Sequence, residues 1–226
     1  CHEKKKTPPC TRELIKSGIG EVIVANLDPN PQVSGKGLNQ LDSAGIRTSY
    51  GYCEKEGEEL NRVFFTFMRK KRPFIHLKIA QTLDGKICSS SGDSKWISSE
   101  ASRKEVHRMR LTYDAVAVGM GTVLNDDPSL TIRMGIESEG KVPYRIVFGN
   151  PQNLKIELKL LSDEHSKRTW IFCKENDFSS LTEEKKKFFQ KREVQLFPVE
   201  ANEVGKINLN KALMIMAGKG ISSLLV

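Results

Sequence analysis

The sequence predicts an α/β protein in two parts, and two observations carry that expectation. Short runs rich in Val and Ile alternate with longer stretches of helical periodicity, the pattern of interleaved strands and helices. Lys70-Lys71-Arg72-Pro73 then ends a helical pattern just before a new alternating run. A boundary there gives parts 1–72 and 73–226. At 226 residues the chain can hold one domain and part of another, and it shows no internal repeat.

The first part begins with Thr7-Pro8-Pro9, which holds the approach to Cys10 extended because proline fixes φ and restricts the residue before it. A helix over 11–18 follows, so Cys10 stands where unsatisfied N–H groups favour a thiolate. Residues 21–26 read as a buried strand ended by Asp28-Pro29-Asn30-Pro31, residues 38–44 as a helix stopped at Gly45, and 46–50 as a second strand. One amphipathic helix is predicted over 54–69, with Leu60, Val63, Phe64 and Phe67 at helical spacing.

The second part opens on the alternating strand 74–80. A Gly/Ser-rich loop leads to a helix that Ser98 or Ser99 can cap and that runs to about Arg110. Residues 114–118 form a buried strand running into Gly119-Met120-Gly121-Thr122. Further strands are predicted at 131–133, 144–148, 169–173 and 194–197, with helices at 181–190 and 209–217. The closing apolar run 221–226 reads as a buried strand. A chain that starts at Cys1 and stops inside such a strand is expected to be a fragment.

The formal charge of +8 favours acidic partners, either nucleic acid or phosphorylated small molecules. Mean hydropathy is −0.41, and no apolar run approaches the length of about 18 residues that a membrane span needs. No signal peptide is visible, and a soluble, cytoplasmic protein is expected. Five cysteines, an odd number, argue against a disulfide framework and for a reducing compartment. Cys53, Cys88 and Cys173 read as structural thiols of the usual buried kind, and Lys185-Lys186-Lys187 as a solvated helix face.

Several residues carry chemistry beside a plainer reading. Cys1 and Cys10 supply two thiolates, which is half a zinc site, since a catalytic zinc usually takes three protein ligands. Two free thiols in a loop are the alternative. Gly119 and Gly121 directly follow a buried strand, which permits close backbone approach to a cofactor phosphate or ribose, or marks only a tight strand-to-loop turn. Asp126-Asp127-Pro128 fits helix capping or loop anchoring better than a metal, because adjacent carboxylates need not face the same way. Lys78, alternating with apolar neighbours, reads as a lysine turned away from the core. Arg103, His107 and Arg110 share one helix face at i, i+4 and i+7, and for Arg103 and His107 that face is expected to be solvated.

Cys1…Thr7-Pro8-Pro9-Cys10 and Asp28-Pro29-Asn30-Pro31-Gln32-Val33…Gly35-Lys36-Gly37 resemble the end of the deaminase domain of the bifunctional riboflavin-biosynthesis deaminase–reductase family. The similarity continues through Leu77-Lys78…Leu83-Asp84-Gly85, Ser91-Gly92-Asp93-Ser94-Lys95-Trp96-Ile97, and Gly121-Thr122-Val123-Leu124-Asn125-Asp126-Asp127-Pro128…Leu130-Thr131-Ile132-Arg133. The resemblance implies the C-terminal part of a cytidine-deaminase-like zinc domain followed by a dihydrofolate-reductase-like NADPH domain. It implies deamination of a diaminopyrimidinone ribosyl phosphate, then reduction of the ribosyl side chain of the aminouracil phosphate product.

By the same resemblance zinc falls to Cys1 and Cys10, NADPH contacts to Ala80, Trp96, Gly119, Gly121, Thr122 and Asp126, and substrate contacts to Ser94, Arg110, Leu130 and Arg133. Lys78 would then face the reaction centre, where a cation can stabilise charge developing on the ribose oxygen. The family's His-x-Glu segment, source of a zinc ligand and the proton-shuttling Glu, does not occur in this sequence, and its Glu-Gly-Gly-like cofactor loop would fall after Val226. The implied partner is a small phosphorylated pyrimidine, with no nucleic acid and no membrane, in a homo-oligomer. A basic nucleic-acid-binding or base-deaminase-like module is the alternative from another class, though 7% aromatic content is low for a single-strand stacking platform. An inactive scaffold is a third.

Overall fold

A computed structural model describes residues 10–31, 33–92 and 97–226, and the chain divides into two compact units, Cys1–Arg72 and Pro73–Val226.

In the first unit the order is α1 (Cys10–Lys16), β1 (Glu21–Val24), α2 (Lys36–Ser43), β2 (Arg47–Tyr50), α3 (Glu54–Leu60) and α4 (Arg62–Lys70). β1 and β2 pair in parallel from Glu21↔Arg47 to Val24↔Tyr50. Leu41, Ile46 and Phe65 are its buried apolar residues, and the Thr11 hydroxyl donates to Gln40 Oε1 at 3.0 Å, tying α1 to α2. The helix predicted over 54–69 is two helices. Asn61 leaves helical geometry (φ −107°, ψ 20°), and its side-chain amide donates back to the Gly57 carbonyl at 3.0 Å. That local bond offers the chain an alternative to continuing the helix.

The second unit runs β3 (Phe74–His76), α5 (Glu100–Thr112), β4 (Ala115–Gly119), α6 (Met120–Asp126), β5 (Tyr144–Phe148), α7 (Lys159–Ser162), β6 (Thr169–Lys174), α8 (Glu175–Ser179), α9 (Glu183–Lys191), β7 (Gln195–Val199), α10 (Leu209–Gly218) and β8 (Ser223–Leu225). Its strands form one six-stranded, all-parallel sheet in the order β3-β8-β4-β5-β6-β7. A parallel sheet must be covered on both faces, which is why its inner strands read as unbroken apolar runs. On one face Val116, Val147 and Ile171 pack with Val123 of α6, Leu160 and Leu161 of α7 and Phe189 of α9. On the other, Ala115, Ala117, Ile146, Trp170 and Phe172 share a cluster with Ala212 and Met216 of α10. The α/β class stands.

Two polar nodes fix this sheet. The Asp114 carboxylate accepts from the Ser222 N–H (2.8 Å), the Ser222 hydroxyl (2.6 Å) and the Ser223 N–H (3.1 Å), seating β8 between β3 and β4. Arg145 is wholly buried in β5, and its guanidinium forms a fork on Asp163 at 2.6 and 2.9 Å. It also donates to the Leu160 carbonyl at 3.0 Å and the Ser129 carbonyl at 3.2 Å. A buried charge persists only when so paired.

Four sequence expectations change. Residues 131–133 are not a strand: Asp127 (φ 41°), Leu130 (φ 53°) and Met134 (φ 60°) bend 127–134 into a loop that extended geometry cannot accommodate. The strand predicted over 74–80 stops at His76, although the Lys78 N–H still donates to the Val226 carbonyl at 2.8 Å. Cys53 and Cys88 are exposed, and only Cys173 of these three is buried, which pushes its thiol pKa up to about 11, helped by Asp177. Lys185 is no solvated tip, because its ammonium donates to the Gln152 carbonyl and, at 2.7 Å, to the Leu154 carbonyl.

Candidate functional site

Loops that follow the carboxyl ends of parallel strands converge on one edge of the sheet, and ligands of such folds bind there. Lys78 lies just past β3 and Gly119 closes β4, with β8 between them. The alternation past β3 runs opposite to the sequence reading. Phe74, His76, Lys78 and Ala80 take the half-buried side, while Ile75, Leu77 and Ile79 are exposed. The half-buried side already carries a polar group, His76, whose Nδ1 is 2.6 Å from the Tyr113 hydroxyl. Lys78 therefore does not turn outward.

A cleft of about 560 Å³ opens beside it, lined by Lys78, by Arg103, Val106, His107 and Arg110 of α5, and by Arg133 and Met134 of the 127–134 loop. Ser99 starts α5 by accepting the Ser102 N–H at 3.2 Å, and helical spacing then stacks residues 103, 107 and 110 on one face. That face is not solvated, contrary to expectation. His107 is 7% exposed, and Arg103 donates to the Ser98 carbonyl at 2.6 Å while lining the cleft.

The loop is held at every turn. Leu130 is 3% exposed and sits in the core, so a substrate contact at this position runs through its backbone. The Ser129 carbonyl accepts from Arg145, the Thr131 carbonyl accepts from Arg110 at 2.8 Å, and the Arg133 N–H donates to His107 Nδ1 at 2.9 Å. Asp127 accepts the Lys159 N–H at 2.8 Å and pairs with its ammonium at 3.3 Å, which is loop anchoring. Non-glycine residues at positive φ persist only where the surroundings over-determine them. Here the result is an exposed Arg133 side chain delivered to the cleft.

Among the described residues no acidic one lines the cleft. Burial first, then the neighbouring Arg133, brings the Arg110 pKa down to about 10. Burial, with Arg110 and Arg133, lowers His107 to about 4, so the imidazole is neutral at physiological pH. Because Nδ1 accepts, the proton sits on Nε2. Lys78, Arg103, Arg110 and Arg133 form a cationic wall suited to a phosphate, which guanidinium groups take up through paired N–H donors.

Further along the edge, β4 runs straight into α6, so Gly119 ends the strand and Gly121 lies in the first helical turn rather than in a strand-to-loop turn. A Cβ added at either glycine would meet nothing within 4 Å. The chain's own packing does not require glycine there, and the open approach fits a cofactor such as NADPH. Gly149, closing the neighbouring β5, differs. A Cβ there would lie 2.6 Å from that of Met120, so the glycine serves packing. Thr122 and Asp126 are exposed on α6, and Ala80 lies on the half-buried side past β3.

Of the remaining expected residues, Cys1, Ser94 and Trp96 lie outside the described residues. Cys10 is the exposed first residue of α1. Among the described residues no three His, Cys, Asp or Glu side chains gather to hold a metal, and Cys1, the partner expected for Cys10, lies outside them. Sequence reasoning missed the roles of His107 and Arg145. The only available signal for His107 was its place between two arginines of one helical face.

Residues 73–226 match the model of the RibD C-terminal domain. The riboflavin biosynthesis protein RibD of Aquifex aeolicus is 46% identical over 185 residues, covering 82% of this chain and 51% of that protein. The RibD protein of Bacillus amyloliquefaciens is 37% identical over 226 residues, covering 100% of this chain and 58% of its own length. The crystal structure of a diaminohydroxyphosphoribosylaminopyrimidine deaminase/5-amino-6-(5-phosphoribosylamino)uracil reductase from Thermotoga maritima superposes with a TM-score of 0.77 at 35% identity, over 100% of this chain and 58% of that one. The chain thus spans little more than half the length of these relatives.

Proposed function

The chain belongs to the RibD family, matched through that family's C-terminal domain, and from this premise we propose that its second unit reduces the ribosyl side chain of a phosphorylated aminouracil at the expense of NADPH. The observation that carries the reading is the cleft in which Lys78, Arg103, Arg110 and Arg133 gather, with no acidic side chain among the described lining residues. Arg110 and Arg133 take the substrate phosphate, and this fixes the sugar relative to the sheet edge.

Bound NADPH would supply the hydride, and Gly119 and Gly121 leave its approach open. The ring oxygen of the sugar is the atom that would gain negative charge and take up a proton as the ring opens. Lys78 stabilises the negative charge developing on that oxygen. Reduction needs no protein nucleophile. The deaminase half of the family's chemistry is represented in this chain by Cys1 and Cys10, which would serve as zinc ligands.

The test is NADPH oxidation by the full-length protein with the ribosyl phosphate and with its dephosphorylated counterpart. The phosphate should raise kcat/KM by at least tenfold, matching a charge-assisted contact of about 1.5–3 kcal/mol. NADPH consumption that ignores the phosphate, or no consumption at all, overturns the proposal.

A further inference from the structure

We infer that His107 is a positioning residue for phosphate recognition, acting through Arg133, whose backbone N–H its Nδ1 holds. The inference deepens the reductase reading and rests on it. The Arg133 side chain is exposed, while its N–H donates at 2.9 Å to a ring that is only 7% exposed. This arginine is therefore anchored at its backbone. The loop on either side of it is bent through positive φ at Leu130 (53°) and Met134 (60°), conformations that persist only where the surroundings over-determine them.

The other ties from α5 fall upstream. Arg110 donates to the Thr131 carbonyl at 2.8 Å, and the His107 ring also makes a backbone hydrogen bond with Thr131. A loop tied only at Thr131 could swing Arg133 on two residues, about 7 Å of extended chain. The bond to Nδ1 removes that freedom. The residue type matters too. A lysine or arginine at this position offers no acceptor. A carboxylate accepts, but it would pair with Arg110 and Arg133 and compete with the phosphate for them. An imidazole kept neutral by burial beside those two arginines accepts the N–H without adding negative charge to the cationic wall.

The experiment uses full-length protein with the ribosyl phosphate, its dephosphorylated counterpart and inorganic phosphate. His107→Phe keeps a ring and removes the acceptor. It should raise KM for the ribosyl phosphate roughly 3- to 10-fold with little change in kcat, and weaken inorganic phosphate by the same factor. Turnover of the dephosphorylated substrate and the KM for NADPH should stay constant. His107→Asn carries an acceptor oxygen in the Nδ1 position and should recover most of the loss. In an Arg133→Ala background His107→Phe should cost less than about twofold, because the residue it acts through is gone. Equal losses with both substrates, an Asn variant no better than Phe, or losses that multiply in the double variant overturn the inference, since a merely structural ring predicts all three. A further check needs no variant: in ¹⁵N-histidine-labelled protein Nδ1 of His107 should give the signal of an unprotonated nitrogen, and a protonated Nδ1 overturns the inference. If this pattern holds for inorganic phosphate but the wild-type protein oxidises no NADPH, the reductase reading fails and the positioning role stands.

Discussion

Replacing Asp163 by alanine should be the most costly single change in the second unit outside its apolar core. The variant leaves the Arg145 guanidinium, wholly buried in β5, without the carboxylate that holds it at 2.6 and 2.9 Å. Breaking a buried pair by removing one partner costs about 3–5 kcal/mol, because the surviving charge stays buried. Asp163 itself is 26% exposed, so water screens part of the pair and the lower end, about 3 kcal/mol, is expected. For a unit of this size that corresponds to a fall in Tm of roughly 6–12 °C. Arg145 also carries the Ser129 carbonyl, so the 127–134 loop should loosen and KM for the phosphorylated substrate should rise with it. Urea unfolding followed by tryptophan fluorescence reads the right transition, since both tryptophans, Trp96 and Trp170, belong to the second unit. The midpoint should drop with an unchanged m value. Asp163→Ala combined with Arg145→Met should be less destabilised than Asp163→Ala alone, because the stranded charge is gone. A loss below about 1 kcal/mol, or a double variant no better than the single, refutes the buried-charge reasoning.

Arg110→Ala and Arg133→Ala should each weaken the phosphorylated substrate roughly 10- to 150-fold in steady-state reductase assays, with NADPH affinity nearly constant and lysine recovering only part of the loss. Gly121→Ala should leave the fold intact, or stabilise it by up to about 1 kcal/mol since it replaces glycine in a helix, while raising the KM for NADPH by filling the open approach. His107 has a native pKa of about 4 against an ordinary 6.5, so the unfolded chain binds more protons between those values. Its contribution to stability is therefore full above about pH 6.5 and lost as pH falls toward 4, by up to about 3 kcal/mol, and His107→Asn should remove that part of the acid sensitivity in urea titrations.

Much of the sheet was legible because a parallel strand covered on both faces leaves a continuous apolar signature, as at Ala115–Gly119 and Thr169–Lys174. α5 was equally legible, with Ser99 at its start. The loop at 127–134 was not. Thr131-Ile132-Arg133 has the composition of a strand, and what bends it is Arg145, Arg110 and His107 acting from distant positions, together with positive φ at residues that ordinarily avoid it. The side that Lys78 takes stays open in the sequence for a related reason. Alternation reports two sides of a run but not which is covered, and past β3 the apolar side chains are the exposed ones. Family resemblance points to Arg110 and Arg133, whereas helical periodicity places His107, between Arg103 and Arg110, on a face that reads as solvated.

The position of β8 bears on how the cleft comes into being during synthesis. β3 leaves the ribosome first among the strands of its sheet, yet its partner β8 emerges roughly 150 residues later. At about 5–20 residues per second, that is a wait on the order of ten to thirty seconds. Until then the Phe74 and Lys78 N–H groups lack the Ser222 and Val226 carbonyls that accept from them in the finished sheet. The arginines of α5 and the loop can be in place earlier, but β3, which leads into Lys78, gains its sheet partner only when β8 slides between β3 and β4. Anion binding by a nascent chain should therefore appear late and abruptly. Among the described strands the β3–β8 pairing also has the longest sequence separation, the kind that slows folding most.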